Sequence, residues 1–168
     1  MIAGLDAFRE SMARLAATVH ILTARAEGHT HGMTMTAACS LSVDPMSVLL
    51  AVNSASATCK AIVASRRLCL NMLAPGDDVL AMRFSGALGH RGEDRFGEGD
   101  WLHEPSAPPV LRSAAAALQC DLVDAHGFGT HSVLLCTVRD VHLGAEAGAL
   151  IYANRRYGAV HHASDTRI

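Results

Sequence analysis

TVHILTARAEGHTHGMTMT, residues 18–36, decides the fold class. Thr18 to Ala24 is β-branched and apolar, the composition of a strand packed on a core. Glu27-Gly28-His29 supplies turn chemistry, and His31-Gly32-Met33-Thr34-Met35-Thr36 then alternates with a period of two, as a returning strand does. The same pattern continues outward. Asp44-Pro45 marks a turn, Ser47–Val52 reads as a buried strand and Leu68–Leu73 as a fourth. Beyond Pro105, Pro108 and Pro109, long strands are predicted at Ala117–Ala125 and Ser132–Leu143, with shorter ones at Ala149–Tyr152 and Tyr157–Val160.

Helices are few. Leu5, Phe8, Met12 and Leu15 recur at helical spacing and predict an amphipathic helix over 5–16. A second follows Asn53-Ser54-Ala55-Ser56-Ala57-Thr58 and runs through Val63; Pro75-Gly76-Asp77-Asp78 opens a third that ends near Ser85. Gly86–Gly99 is polar and glycine-rich and reads as a long loop, the kind of segment that carries function or moves. Many strands without regular βαβ alternation exclude a doubly wound sheet and predict a mainly β barrel with a few peripheral helices. No repeat, linker or boundary interrupts the chain, so residues 1–168 are expected to form one domain, as the length of 168 suggests.

Composition removes whole classes of function. With 14 Lys+Arg against 16 Asp+Glu the net charge is −2, and no basic run offers a footprint for nucleic acid. No apolar run approaches the ~20 residues of a membrane span. The start, MIAGLDAFRESMARL, has acidic residues where a signal peptide is basic and apolar, which points to the cytoplasm. Five cysteines without a CxxC argue against a disulfide framework, and Cys69, Cys120 and Cys136 sit in apolar runs as small hydrophobes. The ten histidines show no HxxxH or HExxH spacing, so no metal site is expected; His161-His162 reads as a solvated tail. Lys60 is the sole lysine and follows Ser-Ala-Thr-Cys, which excludes a Walker loop; GxSxG and GxGxxG are also missing. An enzyme of this composition borrows its chemistry from a cofactor.

Two segments are rich in small hydroxyl residues: Thr34–Ser42 and Asn53–Thr58. The second lies where a strand gives way to a helix, whose free N–H groups can hold a phosphate, with Ser56 or Thr58 adding hydroxyls. The alternative is that these serines only cap the helix.

Across Phe8 to about Val160 the chain resembles the short-chain flavin reductases. The resemblance rests on Phe8-Arg9 with Met12, Val19–Thr23, His31–Thr34 with Thr36-Ala37, and Ser40–Pro45. It continues through Leu70–Leu73, Phe84–Gly86, Arg95-Phe96, Trp101, Gly129–His131, Leu150–Tyr152 and Tyr157. It implies an FMN-binding split β-barrel, homodimeric, that passes hydride from NADH or NADPH to FMN or FAD and supplies reduced flavin to a partner monooxygenase. Carried over by position, Thr34, Met35, Thr36, Ala37 and Ala38 would lie along the flavin ring, with Ser40, Ser42 and Val43 on its ribityl side. Ser56, Ala57 and Thr58 would meet the phosphate, with Lys60 adding charge or standing on a solvated face. Phe84 and Ser85 would close the site, and Arg95-Phe96 would lie in the loop. His131 is the implied catalytic contact to the nicotinamide, with Tyr152, Arg155 and Tyr157 holding the dinucleotide. Two relatives of this reading share the implied fold: a flavin-dependent corrinoid (cobalt) reductase and a flavin- or heme-binding module without turnover. Ala38-Cys39 and Met46 depart from the family's usual residues, which bears on the wall of the flavin site.

Overall fold

The computed structural model describes residues 4–145 and 148–161; His162 of the expected tail lies outside them. Seven antiparallel strands form the main sheet. β2 (His20–Ala26) and β3 (His29–Met35) are joined at Glu27 and Gly28, both with positive φ, the two-residue turn whose twist suits a hairpin. β4 (Ala38–Val43) and β5 (Met46–Asn53) form a second hairpin, and β9 (Ala116–Phe128) and β10 (His131–Leu143) a third, longer one. With β6 (Arg67–Met72) the strand order is β3-β2-β6-β9-β10-β5-β4.

A three-stranded sheet stands beside it, built from β1 (Ala17–Thr18), β11 (Ala149–Ala153) and β12 (Arg156–Val160); β7 (Trp101–Leu102) pairs with β8 (Val110–Leu111) in a small third sheet. Only Val19 separates β1 from β2. Its N–H donates to Leu150, Leu150 donates to Leu73, and Leu73 donates back to Val19, a ring of backbone bonds of 2.9–3.0 Å that seams the two larger sheets together. Two cores result. Leu22, Met35, Leu50, Ile62, Leu70 and Leu134 fill one; Ile21, Leu73, Phe84, Trp101, Leu111 and Leu150 fill the other.

Three helices flank the sheets: α1 (Leu5–Ala13), α2 (Ala57–Ser65) and α3 (Asp78–Ser85). Several expectations need correction. The first helix stops at Ala13 rather than 16, and none of its residues is buried. Ala38–Val43 is an edge strand that hydrophobic periodicity does not announce, because five of its six residues are exposed. Gly86–Gly99 is not structureless: Gly92–Gly97 forms a 3₁₀ turn held by the Arg83 side chain on the Arg95 carbonyl and by the Arg95 side chain on the Gly32 carbonyl. The first long strand runs one residue before and three beyond its predicted span, and the second begins one residue early and ends at Leu143 as predicted. Cys69, Cys120 and Cys136 are buried as expected, and burial pushes the Cys120 and Cys136 thiols up to about 12.

Candidate functional site

A groove follows the outer edge strand β3. At its wider end, Thr34, Met35 and Thr36 face Ser85, Tyr152, Arg155 and Tyr157 across a cavity of about 530 Å³. The two tyrosine rings stand 5.0 Å apart on the β11–β12 hairpin, whose turn is set by positive φ at Asn154 and Arg155. Arg155 donates to Glu10 at 3.0 Å, which ties this hairpin to α1. The Thr34 hydroxyl donates to the Ala81 carbonyl at 2.6 Å, so it faces the groove only as an acceptor. Burial holds the Tyr157 phenol above its ordinary value.

Next along β3, a cavity of about 440 Å³ is lined by His31, Gly32 and Met33 on one side and by Ser56, Ala57 and Thr58 on another. Its third wall is the 86–95 segment, including His90, Arg91 and Arg95. Ser56 caps α2: its hydroxyl accepts from Cys59 N–H at 3.1 Å and donates to the Asn53 carbonyl at 2.8 Å. The hydroxyl is therefore largely spent on capping, while the first N–H groups of α2 remain without intrahelical acceptors. Arg91 and Arg95 form no ion pair among the described residues. Burial, and secondarily the charge of Arg91, lowers the Arg95 value. A helix N-terminus and two guanidinium groups without carboxylate partners among the described residues give this cavity the donors of a candidate anion receptor.

Buried Arg83, in α3, orders the wall. It donates from Nε to the Arg95 carbonyl at 2.9 Å and from Nη2 to the Asp94 carbonyl. Its Nη1 meets His90 Nε2 at 2.9 Å and the Glu98 carboxylate at 3.4 Å. Below lies an aromatic stack: Phe84, Phe96 and Trp101, with centroids 4.9–5.3 Å apart. Gly32 passes directly over it, and a Cβ there would stand 2.6 Å from Phe84. Phe84 is fully buried, so it props β3 from beneath rather than lining the groove.

Other expected residues fall elsewhere. Ala37 and Ala38 line a separate depression with exposed Cys39, joined to the groove through Thr36. Ser40, Ser42 and Val43 lie on β4 outside these cavities; the Ser42 hydroxyl serves the turn at Asp44, and Val43 is 91% exposed. Lys60 lines a neighbouring recess rather than the anion receptor. His131 opens β10, paired with Asn53 and Phe128, and its Nδ1 lies 2.9 Å from the Thr130 hydroxyl. A Thr130 hydroxyl donating there leaves Nε2 as the donor. Sequence reasoning missed Arg91, His90 and His31, which share no motif spacing.

The chain is a small β-barrel whose edge strand carries a two-compartment groove with a cationic end. Residues 12–161 match the flavin reductase like domain, and the chain belongs to that family. It is 38% identical over 151 residues to "FMN reductase (NADH) RutF" of Methylorubrum extorquens, covering 90% of this chain and 73% of that protein. It is 35% identical to the "4-hydroxyphenylacetate 3-monooxygenase reductase component" of Escherichia coli, over 91% of this chain and 90% of that one. Among solved structures, nitrilotriacetate monooxygenase component B from Mycobacterium thermoresistibile superposes with a TM-score of 0.85 at 27% identity, over 97% of this chain and 90% of that chain.

Proposed function

We propose that this chain is an NAD(P)H:flavin oxidoreductase that supplies reduced flavin to a partner monooxygenase. One observation carries the reading beyond family membership: Arg91 and Arg95, without carboxylate partners, face the N-terminus of α2 at the end of a groove 440–530 Å³ per compartment. That donor set fits a phosphate attached to a ring held in the wider compartment. A bound flavin would supply the hydride acceptor, and no protein group is asked to form a bond.

The chain's own residues bind and orient. Thr36, Met35 and the Tyr152–Tyr157 pair hold the ring end; Ala57 and Thr58 N–H groups with Arg91 and Arg95 hold the phosphate end. Phe84 supports the floor. His131 lines neither compartment of the groove; in this reading its exposed Nε2–H is the donor for a nicotinamide carboxamide, at the end of β10 that Ser54 N–H ties to the start of α2 by donating to the Thr130 carbonyl at 3.1 Å. Hydride transfer then depends on bringing two rings to about 3–3.5 Å.

The functional unit in this reading is a homodimer of single-domain chains in the cytoplasm. Apolar side chains left exposed on α1 (Phe8, Met12), β4 (Leu41, Val43) and the β9–β10 hairpin (Phe128) support the second copy. Five free cysteines suit a reducing compartment. Among the described residues no helix is long and apolar enough to cross a membrane.

The test is multiple-turnover oxidation of NADH or NADPH by the purified protein with FMN or FAD. Wild type turns over and saturates in flavin, and His131→Ala raises KM for the nicotinamide while leaving flavin affinity unchanged. Tight flavin binding without nicotinamide oxidation overturns the reading.

A further inference from the structure

The wall that carries Arg91 and Arg95 is a strap, attached to the barrel by side chains. Among the described residues, every backbone–backbone hydrogen bond of residues 87–99 outside the 3₁₀ turn stays within the segment or returns to the end of α3. At its rear, Arg83 holds the Asp94 and Arg95 carbonyls, and Trp101 Nε1 donates to the Glu98 carbonyl at 2.7 Å.

The front of the strap meets β3. This is an outer strand of the main sheet, so alternate residues turn their backbone groups away from β2. Two of those groups are taken by strap side chains. Glu93 Oε1 accepts from Thr30 N–H at 2.9 Å and from the Thr30 hydroxyl at 3.1 Å, while Arg95 Nη1 donates to the Gly32 carbonyl at 2.7 Å. Acceptor and donor are spaced two residues apart on both sides. The strap is therefore clipped to an edge that it does not join as a strand.

The two clips are unequal. Arg95 also donates to the His90 carbonyl at 3.2 Å, and its own carbonyl is held by Arg83. The Glu93 carboxylate has Thr30 and, 3.7 Å away, His29 Nδ1, and 58% of its side chain is exposed. Thr30 is buried, and its N–H and then its hydroxyl hold the Glu93 carboxyl below its ordinary value. Glu93 does not line the cavity, yet it stands two residues from each of the arginines that do.

We infer that Glu93 is a positioning residue for the flavin phosphate: its clip on Thr30 keeps Arg91 and Arg95 at the cavity, and unclipping sets the rate at which flavin leaves. The inference rests on the flavin reading above, in which reduced flavin departs at every turnover.

The experiment compares wild type, Glu93→Ala, Glu93→Gln and Thr30→Val. It reads stopped-flow FMN dissociation, affinity for FMN and riboflavin, and trypsin cleavage mapped by mass spectrometry, with far-UV circular dichroism to verify folding. Glu93→Ala is expected to speed FMN dissociation about tenfold, to open the Arg91-Gly92 bond to trypsin, and to leave riboflavin affinity within about twofold. Glu93→Gln keeps an acceptor oxygen for Thr30 and restores slow dissociation to within about threefold of wild type. Thr30→Val loses only the hydroxyl bond and gives a smaller increase in the same direction; it decides the matter if Glu93→Ala does not fold. Unchanged FMN dissociation in a folded variant, with or without added cleavage, overturns the inference and leaves the flavin reading intact. Equal weakening of FMN and riboflavin also overturns it, because the effect then does not lie at the phosphate. Absence of any flavin binding by wild type overturns both.

Discussion

Arg95 Nη1 donates to the carbonyl oxygen of Gly32 at 2.7 Å, joining residues 63 apart in the sequence. The bond fixes the loop to the edge strand at the wall of the cavity shared with the N-terminus of α2. The site's cationic wall is therefore as well placed as β3 itself, provided that Arg83 holds the rest of the loop.

Arg83→Met removes the donor to two loop carbonyls and leaves Glu98 and His90 without it. The substitution is expected to cost about 2–3 kcal/mol, the scale of buried acceptors left unsatisfied. FMN affinity falls with it, because Arg91 and Arg95 lose their scaffold. Urea unfolding measures the first effect and flavin titration the second; wild-type FMN binding by a folded variant would contradict the role given to Arg83.

Gly32→Ala tests the close approach to the aromatic stack. The added Cβ would lie 2.6 Å from one Phe84 carbon and 2.9 Å from another, on a ring packed against Phe96 and Trp101. Overpacking of this kind costs about 1–3 kcal/mol. Trp101 is the only tryptophan, so its fluorescence reports the displacement directly. An unchanged emission spectrum and unfolding midpoint would show that the ring gives way freely.

Ser56→Ala and Arg91→Ala should behave oppositely. Ser56→Ala loses the α2 cap, about 1 kcal/mol of stability, with little change in FMN affinity because the hydroxyl is spent on Cys59 and Asn53. Arg91→Ala leaves stability nearly unchanged and weakens FMN about tenfold, with riboflavin unaffected, as expected for loss of a charge-assisted phosphate contact. Isothermal titration with both flavins separates the two.

His20 gives the pH dependence. It is buried on β2, its Nδ1 has no hydrogen-bond partner, and burial lowers its value from 6.5 to about 4. The unfolded chain takes up the proton and the folded one does not, so stability declines as pH falls below about 6.5 and the loss is complete near 4. About 2 kcal/mol disappears between about pH 7 and about pH 5 on this account. His20→Leu should flatten the dependence of the urea midpoint over that range; an unchanged slope would assign it to other groups.

Much of this fold is legible in the chain because its central strands are buried on both faces. Val19–Thr23 announces itself by β-branched side chains and Leu68–Leu73 by a nearly continuous apolar run. Ala38–Val43 does not, since an exposed edge strand with a register shift between Ser40 and Ser42 has no buried face to produce a period. The order of Gly86–Gly99 is equally hidden: it comes from Arg83 and Gly32, partners distant in sequence, and glycine-rich composition reads as a loop whatever holds it. At the site, Ser56–Thr58 is visible through the strand-to-helix transition. Arg91 and His31 are not, because an arginine in a polar loop and a histidine in a strand acquire meaning only when folding brings them to one cavity.

The two cores share their strands. Leu68 and Leu70 of β6 enter one core while Cys69 between them enters the other, and β2 divides Leu22 and Ile21 in the same way. A slip of one residue in either strand would exchange the contents of both cores at once, so neither core can drift while the other stays filled. The barrel is thus a lock with two tumblers on each central strand.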